Sequence, residues 1–572
     1  MKTHCLMLSA CALSIFGAGP VLARTPETLL IHGHIYTSEA TVGSPAAWSE
    51  ALAIEGAHIV AVGRDSEILK RRGAHAKVID LHGRTVIPGI VDSHMHMLYG
   101  AYALHGLNLS TPDASVTPDQ PEELVRRLKA YAAAHPTDAV ILGRADFSTA
   151  PPTTPASGLL DRAVADRPVI IHNTSEHALW LNTAAMKLTG ITDLPVSDPD
   201  EERGVVRDAS GNATGVLLEA AMQLAGAAAS RIPVDAQLAM LKDAGAYLNS
   251  LGITSVVNAT GDLAEIKLYA TLRDRGQLTV RTRTAFGAVA VQHHLTPALL
   301  ADLDQARTLY HDDWVAANLV KFFSDGSTGL VPPLVYVARD YRALVFELDQ
   351  RGYQIATHAI RADSVHMVLD TYQALEESHG KRDRRLRIEH ADGIDPADVP
   401  RFAALDVIAD MQPTFCCGEE GANPDPATAA DPWHSLQQSG ATLAFSSDWP
   451  CTWPPNPFVS IQEAATRQAW RSEATADIPG QALDGAAQAG AHPTGAGYFP
   501  AERISVETAV RAYTQGSAYA AFSDDRVGTL KVGKLADLAV LSQDIFSADP
   551  LTIGKTHVTM TIVGGKIVYG AP

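Results

Sequence analysis

The sequence predicts an α/β protein built on a TIM-like (β/α)8 barrel, with a small β-sandwich-like domain assembled from both termini. Three observations predict it. Apolar strand-like runs alternate with amphipathic segments, histidine, lysine and aspartate stand at the carboxyl ends of those runs, and short strand-like stretches collect at the two ends of the chain.

The first 23 residues, "MKTHCLMLSACALSIFGAGPVLA", have a basic start at Lys2, an apolar stretch too short to span a bilayer, and small residues near Ala23. They read as a secretory signal cleaved near Ala23, so a periplasmic or secreted protein with no membrane span is expected. "LSAC" (Leu8 to Cys11) resembles a lipoprotein box, but a further apolar run follows it.

Residues 24–85 contain "TLLIHGHIYT" and "ALAIEGAHIVAVG" and read as the first half of the small β-domain; residues 526–572, with "DLAVLSQ" and "VTMTIVGGKIVYG", read as its second half. The barrel is expected over residues 86–525. Its strands are the run from Val86 to His96 and seven others: "GITSVVNAT", "TVRTRTAFG", "NLVKFFSDG", "YQIATHAI", "RLRIEHAD", "VIADMQP" and "TLAFSSDWP". Segments such as "SVHMVLDTYQALEESHG", stopped by Gly380, carry helical spacing between them. An insertion over about 97–250, closing with the helix "AQLAMLKDAGAYLNSLG", is expected to cover the barrel mouth and shape a substrate pocket. The stretch from Gly480 to Gly497 is rich in small residues and reads as a loop.

A hydrophobic share of 46% and a charged share of 19% describe a globular chain, and a formal net charge of −19 leaves no basic footprint for nucleic acid. Cys5 and Cys11 would leave with the signal. Cys416, Cys417 and Cys451 lack metal-finger spacing, and free thiols and a labile disulfide both stay open for them.

His94 and His96 are alternate residues of a strand, so their side chains share a face and can converge on one divalent metal. Lys321, His358, His390 and Asp448 stand at other strand ends. One buried histidine is commonly a packed core residue. Four histidines and an aspartate at the active end of one barrel are a costly set to bury without a shared partner, and they point to a metal centre.

With "VIPGIVDSHMH", "HALWLN", "VKFFSDGS", "THAI", "RIEHAD", "DMQP", "SSDWP" and "GTLKVGKLADLAVL", nearly the whole mature chain resembles the amidohydrolase superfamily. The closer resemblance is to its family 3 branch, which includes N-substituted formamide deformylase-like enzymes. The resemblance implies that His94, His96, Lys321, His358, His390 and Asp448 are metal ligands. One or two divalent ions are expected, with zinc favoured by imidazole and carboxylate donors. If two are bound, it implies a CO2-derived carbamate on Lys321, because an unmodified lysine is a repelling cation; an ion-paired or snorkelling lysine is the structural alternative. Asp448 would take a proton from metal-activated water and pass it to the departing nitrogen.

His177 and Asp325 are candidate substrate-binding residues, although the Asp-Gly pair at Asp325 also suits a turn, and nearby His172 reads as pocket wall or packing. The chain departs from the family at "HAIRADSV", where Arg361 and Ala362 replace Gly-Asp. Arg361 is therefore expected to reach the pocket and favour anionic substrates, with Asp363 or Ser364 capping the next helix.

The expected activity is hydrolysis of a non-peptide carbon-nitrogen bond, an N-acyl or amide group, on a small organic substrate. Deamination, ester or lactone hydrolysis, isomerisation, and a non-catalytic binding or regulatory role on the same scaffold are the alternatives. A homodimer is the default expectation for its assembly.

Overall fold

In the computed structural model the described residues are 27–571, apart from 40–43, 45–46, 112–113, 116–120, 146–155, 175–176, 194–203, 227–230, 288–294, 326–337, 418–428 and 471–496. The signal segment with Cys5 and Cys11, and the small-residue stretch from Gly480 up to Gly497, lie outside them.

Eight parallel strands form the barrel in chain order: β1 (Ile90–Met95), β2 (Ile253–Gly261), β3 (Arg281–Phe286), β4 (Val315–Phe323), β5 (Gln354–Ala359), β6 (Arg387–His390), β7 (Ile408–Met411) and β8 (Leu443–Phe445). They are the eight runs read from the sequence. Strands covered on both faces bury consecutive residues, as β2 does from Ile253 to Ala259. The seam between β1 and β8 is closed by single contacts. Ser93 donates to the Phe445 carbonyl at 3.1 Å, Asp448 N–H to the His94 carbonyl at 2.8 Å, and His96 N–H to the Trp449 carbonyl at 2.7 Å.

The outer helices start and stop where local chemistry requires. Asp262 caps Leu263–Asp274 by accepting from Glu265 N–H at 2.8 Å, and Thr296 caps Pro297–Leu309 by accepting from Leu299 N–H at 3.1 Å. The helix Ala362–His379 ends at Gly380, whose φ of 75° is cheap for a residue without Cβ. Its start corrects the expectation of a side-chain cap. Arg361 is the cap residue and makes no capping bond, while Asp363 sits in the first turn.

Both termini build the small domain. Leu538–Leu541 lies antiparallel to Thr85–Pro88 in a six-stranded sheet, and a four-stranded sheet from residues 28–80 packs against it. Leu30, Leu52, Ile54, Val86, Leu538, Val540 and Ile562 fill the space between. The chain passes from this domain into β1 at Gly89, where a Cβ would lie 2.3 Å from Thr254 Oγ1. Arg281 of β3 bolts the two parts together, donating to both oxygens of Asp537 at 2.6 and 3.0 Å.

The insertion is more than loops ending in a helix. Val234–Ser250 forms the expected closing helix, but a mixed six-stranded sheet precedes it, with Ile141–Ala145, Val169–Asn173, Ala178–Leu181 and Ala213–Leu218 at its centre. It has its own core of Leu124, Leu128, Ile141, Ile171 and Trp180. Cys416 and Cys417 are joined in a disulfide that leaves Cys451 out. Among the described residues no helix is long and apolar enough to cross a membrane.

Arg281 and Asp537 are both buried, so removing one partner strands the other's charge. Asp537→Ala is expected to destabilise the protein by about 3–5 kcal/mol, seen as a lower denaturation midpoint, whereas Asp313→Ala at a half-exposed pair with Arg526 should cost at most ~1 kcal/mol. Equal midpoints for the two variants would refute the bolt.

Candidate metal centre

The six predicted ligands come from five strand ends. His94 lies in β1 and His96 just beyond it, Lys321 in β4, His358 in β5, His390 at the end of β6, and Asp448 three residues after β8. Four imidazoles form a row, with ring centroids 5.6 Å apart from His96 to His94, 4.9 Å from His94 to His390 and 4.5 Å from His390 to His358. Asp448 Oδ1 faces this row, 3.4 Å from His94 Nε2 and 3.2 Å from His96 Nε2. Donor atoms of His94, His390 and Asp448 all lie within 4.8 Å of one another.

Backbone geometry turns two of these side chains inward. His390 and Asp448 have φ of 72° and 54°, a left-handed conformation that costs a residue with a Cβ about 1–2 kcal/mol. Such strain persists where the surroundings enforce it.

An outer ring of polar groups holds the imidazoles by the nitrogen remote from the centre. His94 Nδ1 bonds the Glu389 carboxylate, His390 Nδ1 meets Gln412 Oε1 at 2.7 Å, and His96 Nδ1 meets Thr260 Oγ1 at 2.8 Å. Gln412 then donates to Ser446 at 2.8 Å, and Ser446 to Asp410 at 2.7 Å. Arg387 donates to Glu389 at 2.8 and 2.9 Å and to Asp410 at 2.8 Å. Where Nδ1–H is donated outward, Nε2 presents its lone pair inward, as a ligand must.

Sequence reasoning missed Glu389, Arg387, Asp410, Gln412 and Thr260. A signal was present. Arg387 and Glu389 are alternate residues of β6, and Asp410 of β7 and Gln412 just beyond it have the same spacing, so each pair shares one face.

Electrostatics favour neutral imidazole. Burial lowers His94 to about 4 and His390 to about 3, and pushes His358 well below its ordinary value. Burial pushes Glu389 up, but the Arg387 charge and the hydrogen bond with His94 outweigh it and hold the carboxyl well below the usual range. Lys321 is 1% exposed, its Nζ is 3.5 Å from His94 Nε2 and 4.5 Å from the Phe323 ring centre, and burial brings it down to about 8. No carboxylate pairs with it among the described residues.

Among the predicted ligands, two buried side-chain atoms have no hydrogen-bond partner, His358 Nε2 and Asp448 Oδ1. Unsatisfied buried polar atoms are costly, and an imidazole nitrogen with a carboxylate oxygen is a donor set suited to zinc and its neighbours. The residues therefore fit a divalent metal.

Of the weaker candidates, Asp325 is buried with Oδ1 3.3 Å from His358 Nε2, and His177 brings its ring 6.1 Å from that of His358. His172 is 5.4 Å from Tyr99, whose ring is 6.2 Å from His96. Arg361 takes a different place from the one expected. Its guanidinium pairs with Asp363 at 3.0 Å at the surface, which offsets its charge, and its backbone N–H donates to Asp325 at 2.9 Å.

A model described as the amidohydrolase family matches residues 77–569. The chain belongs to the amidohydrolase family. Relatives span its length. Protein LONG AFTER FAR-RED 3 of Arabidopsis thaliana is 28% identical, covering 96% of this chain and 93% of that protein. N-substituted formamide deformylase of Arthrobacter pascens is 24% identical, covering 96% and 99%. The fold is shared with an uncharacterised metal-dependent hydrolase of Pyrococcus furiosus, TM-score 0.64 at 23% identity over 91% of this amidohydrolase chain and all of that one.

Outer partners of metal-bound histidines tune affinity. Glu389→Gln keeps an acceptor for His94 and removes the charge, so zinc affinity is expected to fall about 10–100-fold in competition titrations with a chelator. Unchanged affinity would mean that Glu389 serves Arg387 alone.

Proposed function

We propose that this amidohydrolase is an exported, metal-dependent enzyme that hydrolyses the carbon-nitrogen bond of a small N-acyl or amide substrate. The observation that carries the reading is the convergence of inward Nε2 atoms on the unpartnered Oδ1 of Asp448. Export rests on the signal-like first 23 residues. The amide substrate class draws on the formamide deformylase, whose whole length this chain matches.

His94, His96, His358, His390 and Asp448 would hold one or two divalent ions, with zinc suited to the donors. When bound, a divalent metal supplies a Lewis acid that polarises a carbonyl and lowers the pKa of water. Asp448 accepts the proton that water loses as its oxygen bonds to the carbonyl carbon. It returns that proton to the nitrogen as the carbon-nitrogen bond breaks, leaving a carboxylic acid and an amine. The barrel walls keep the reacting atoms out of bulk water, and the His177 and Tyr99–His172 side contributes the substrate wall.

Lys321 deepens the reading. As a neutral amine it can add CO2, its lone pair bonding carbon and its proton leaving to water, to give an anionic carbamate. Burial favours the neutral amine and outweighs the Glu389, Asp448 and Asp410 carboxylates, which favour the cation.

Chelator-stripped protein is expected to be inactive on N-formyl and N-acetyl arylamines and to recover with zinc. Asp448→Asn should lower kcat about 10²–10⁴-fold, the range for a lost general acid-base group, with at least one ion still bound. Full activity in Asp448→Asn, or no turnover by fully loaded wild type across amides, would sink the assignment.

A further inference from the structure

Asp325 lies just past β4, four residues beyond Lys321, and is 1% exposed. Its carboxylate is held firmly. Ile360 N–H donates to it at 3.1 and 3.2 Å and Arg361 N–H at 2.9 Å, which leaves Oδ1 turned towards His358. That oxygen is 3.3 Å from His358 Nε2, yet Nε2, on a residue 3% exposed, has no hydrogen-bond partner. The pair is close without being bonded.

A tetrahedral ion explains such a spacing. Two donors each ~2.0–2.2 Å from one ion are about 3.3–3.6 Å apart. The separations of Asp448 Oδ1 from His96 and His94, 3.2 and 3.4 Å, lie at or near the lower end of this range, and the Asp325–His358 separation falls between them. His390 stands between the two groups, 4.9 Å from His94 on one side and 4.5 Å from His358 on the other by ring centroids. The centre therefore has two nitrogen-oxygen mouths.

We infer that Asp325 is a direct ligand, through Oδ1, of a second divalent cation held with His358, beside the ion at His94 and Asp448. This rests on the metal-dependent reading above and adds one residue to its ligands. The backbone donors from Ile360 and Arg361 pre-orient the carboxylate, so the turn after β4 and the start of the helix after β5 both serve the metal.

The test uses zinc-loaded full chain without a histidine tag, its metal content measured by plasma mass spectrometry and its ion positions by anomalous diffraction. Wild type should hold about two ions, with Asp325 Oδ1 ~2.0–2.2 Å from the second. Asp325→Asn should fall to about one, retained at His94 and Asp448, while Asp363→Asn, which disturbs the same helix start, should keep both. One ion in wild type, two equally retained ions in Asp325→Asn, or a wild-type map with the carboxylate beyond bonding distance would overturn the inference and leave the hydrolase reading standing. No bound metal in wild type would overturn both. The wild-type map decides the matter even if the variant fails to fold.

Discussion

Arg387 is 1% exposed in the middle of the barrel, and its guanidinium reaches Glu389, Asp410 and the Ser93 carbonyl together. A buried cation is tolerable when its donors meet acceptors and its charge is matched. Here the acceptors come from β1, β6 and β7, so satisfying one charge fixes the relative positions of three strands. Two of its contacts pass directly to the metal centre. Glu389 holds His94, while Asp410 acts through Ser446 and Gln412 on His390. The geometry of the imidazoles is thus a consequence of how the barrel neutralises a charge in its core.

The same logic explains why the centre sits where β1 and β8 meet. The two strands share no regular ladder, and single backbone bonds at His94, His96 and Asp448 close the gap. Asp92 strengthens this join by accepting from Ser447 N–H at 3.1 Å; burial pushes its carboxyl up to about 7. Closing the fold and facing the centre are tasks of neighbouring residues in β1, since Ser93 and Asp92 bond across the join while His94 presents its ring to the centre.

The barrel strands and the six candidate ligands were legible because histidine, lysine and aspartate are conspicuous at the ends of apolar runs. The surrounding network was less so. Arg387 and Glu389 are ordinary surface residues by composition, and only their two-residue spacing inside a strand betrays a shared inward face. The sheet of the insertion was missed because its strands, such as Ile141–Ala145, are short and interleaved with helices, so no single period emerges. Arg361 was legible as a charge but not as a direction. The helix start places Asp363 beside it, and that local pairing wins over reaching into a pocket. Asp325 stayed ambiguous because "SDGS" satisfies a turn as well as a site, and the choice depends on where β5 puts His358.

On the proposed function, the insertion would separate selectivity from chemistry. Its sheet has its own core, so residues facing the barrel mouth can change without repacking the strands that hold the donors. The separation is incomplete, because Arg144, in the strand Ile141–Ala145 of that sheet, is 2% exposed and donates to the Pro450 carbonyl at 3.3 Å, two residues beyond Asp448. Its guanidinium also lies 5.1 Å from the Trp453 ring centre. Docking of the insertion is therefore felt by the loop that carries Asp448, so the proposed substrate wall would bear on the group proposed to move the substrate's proton.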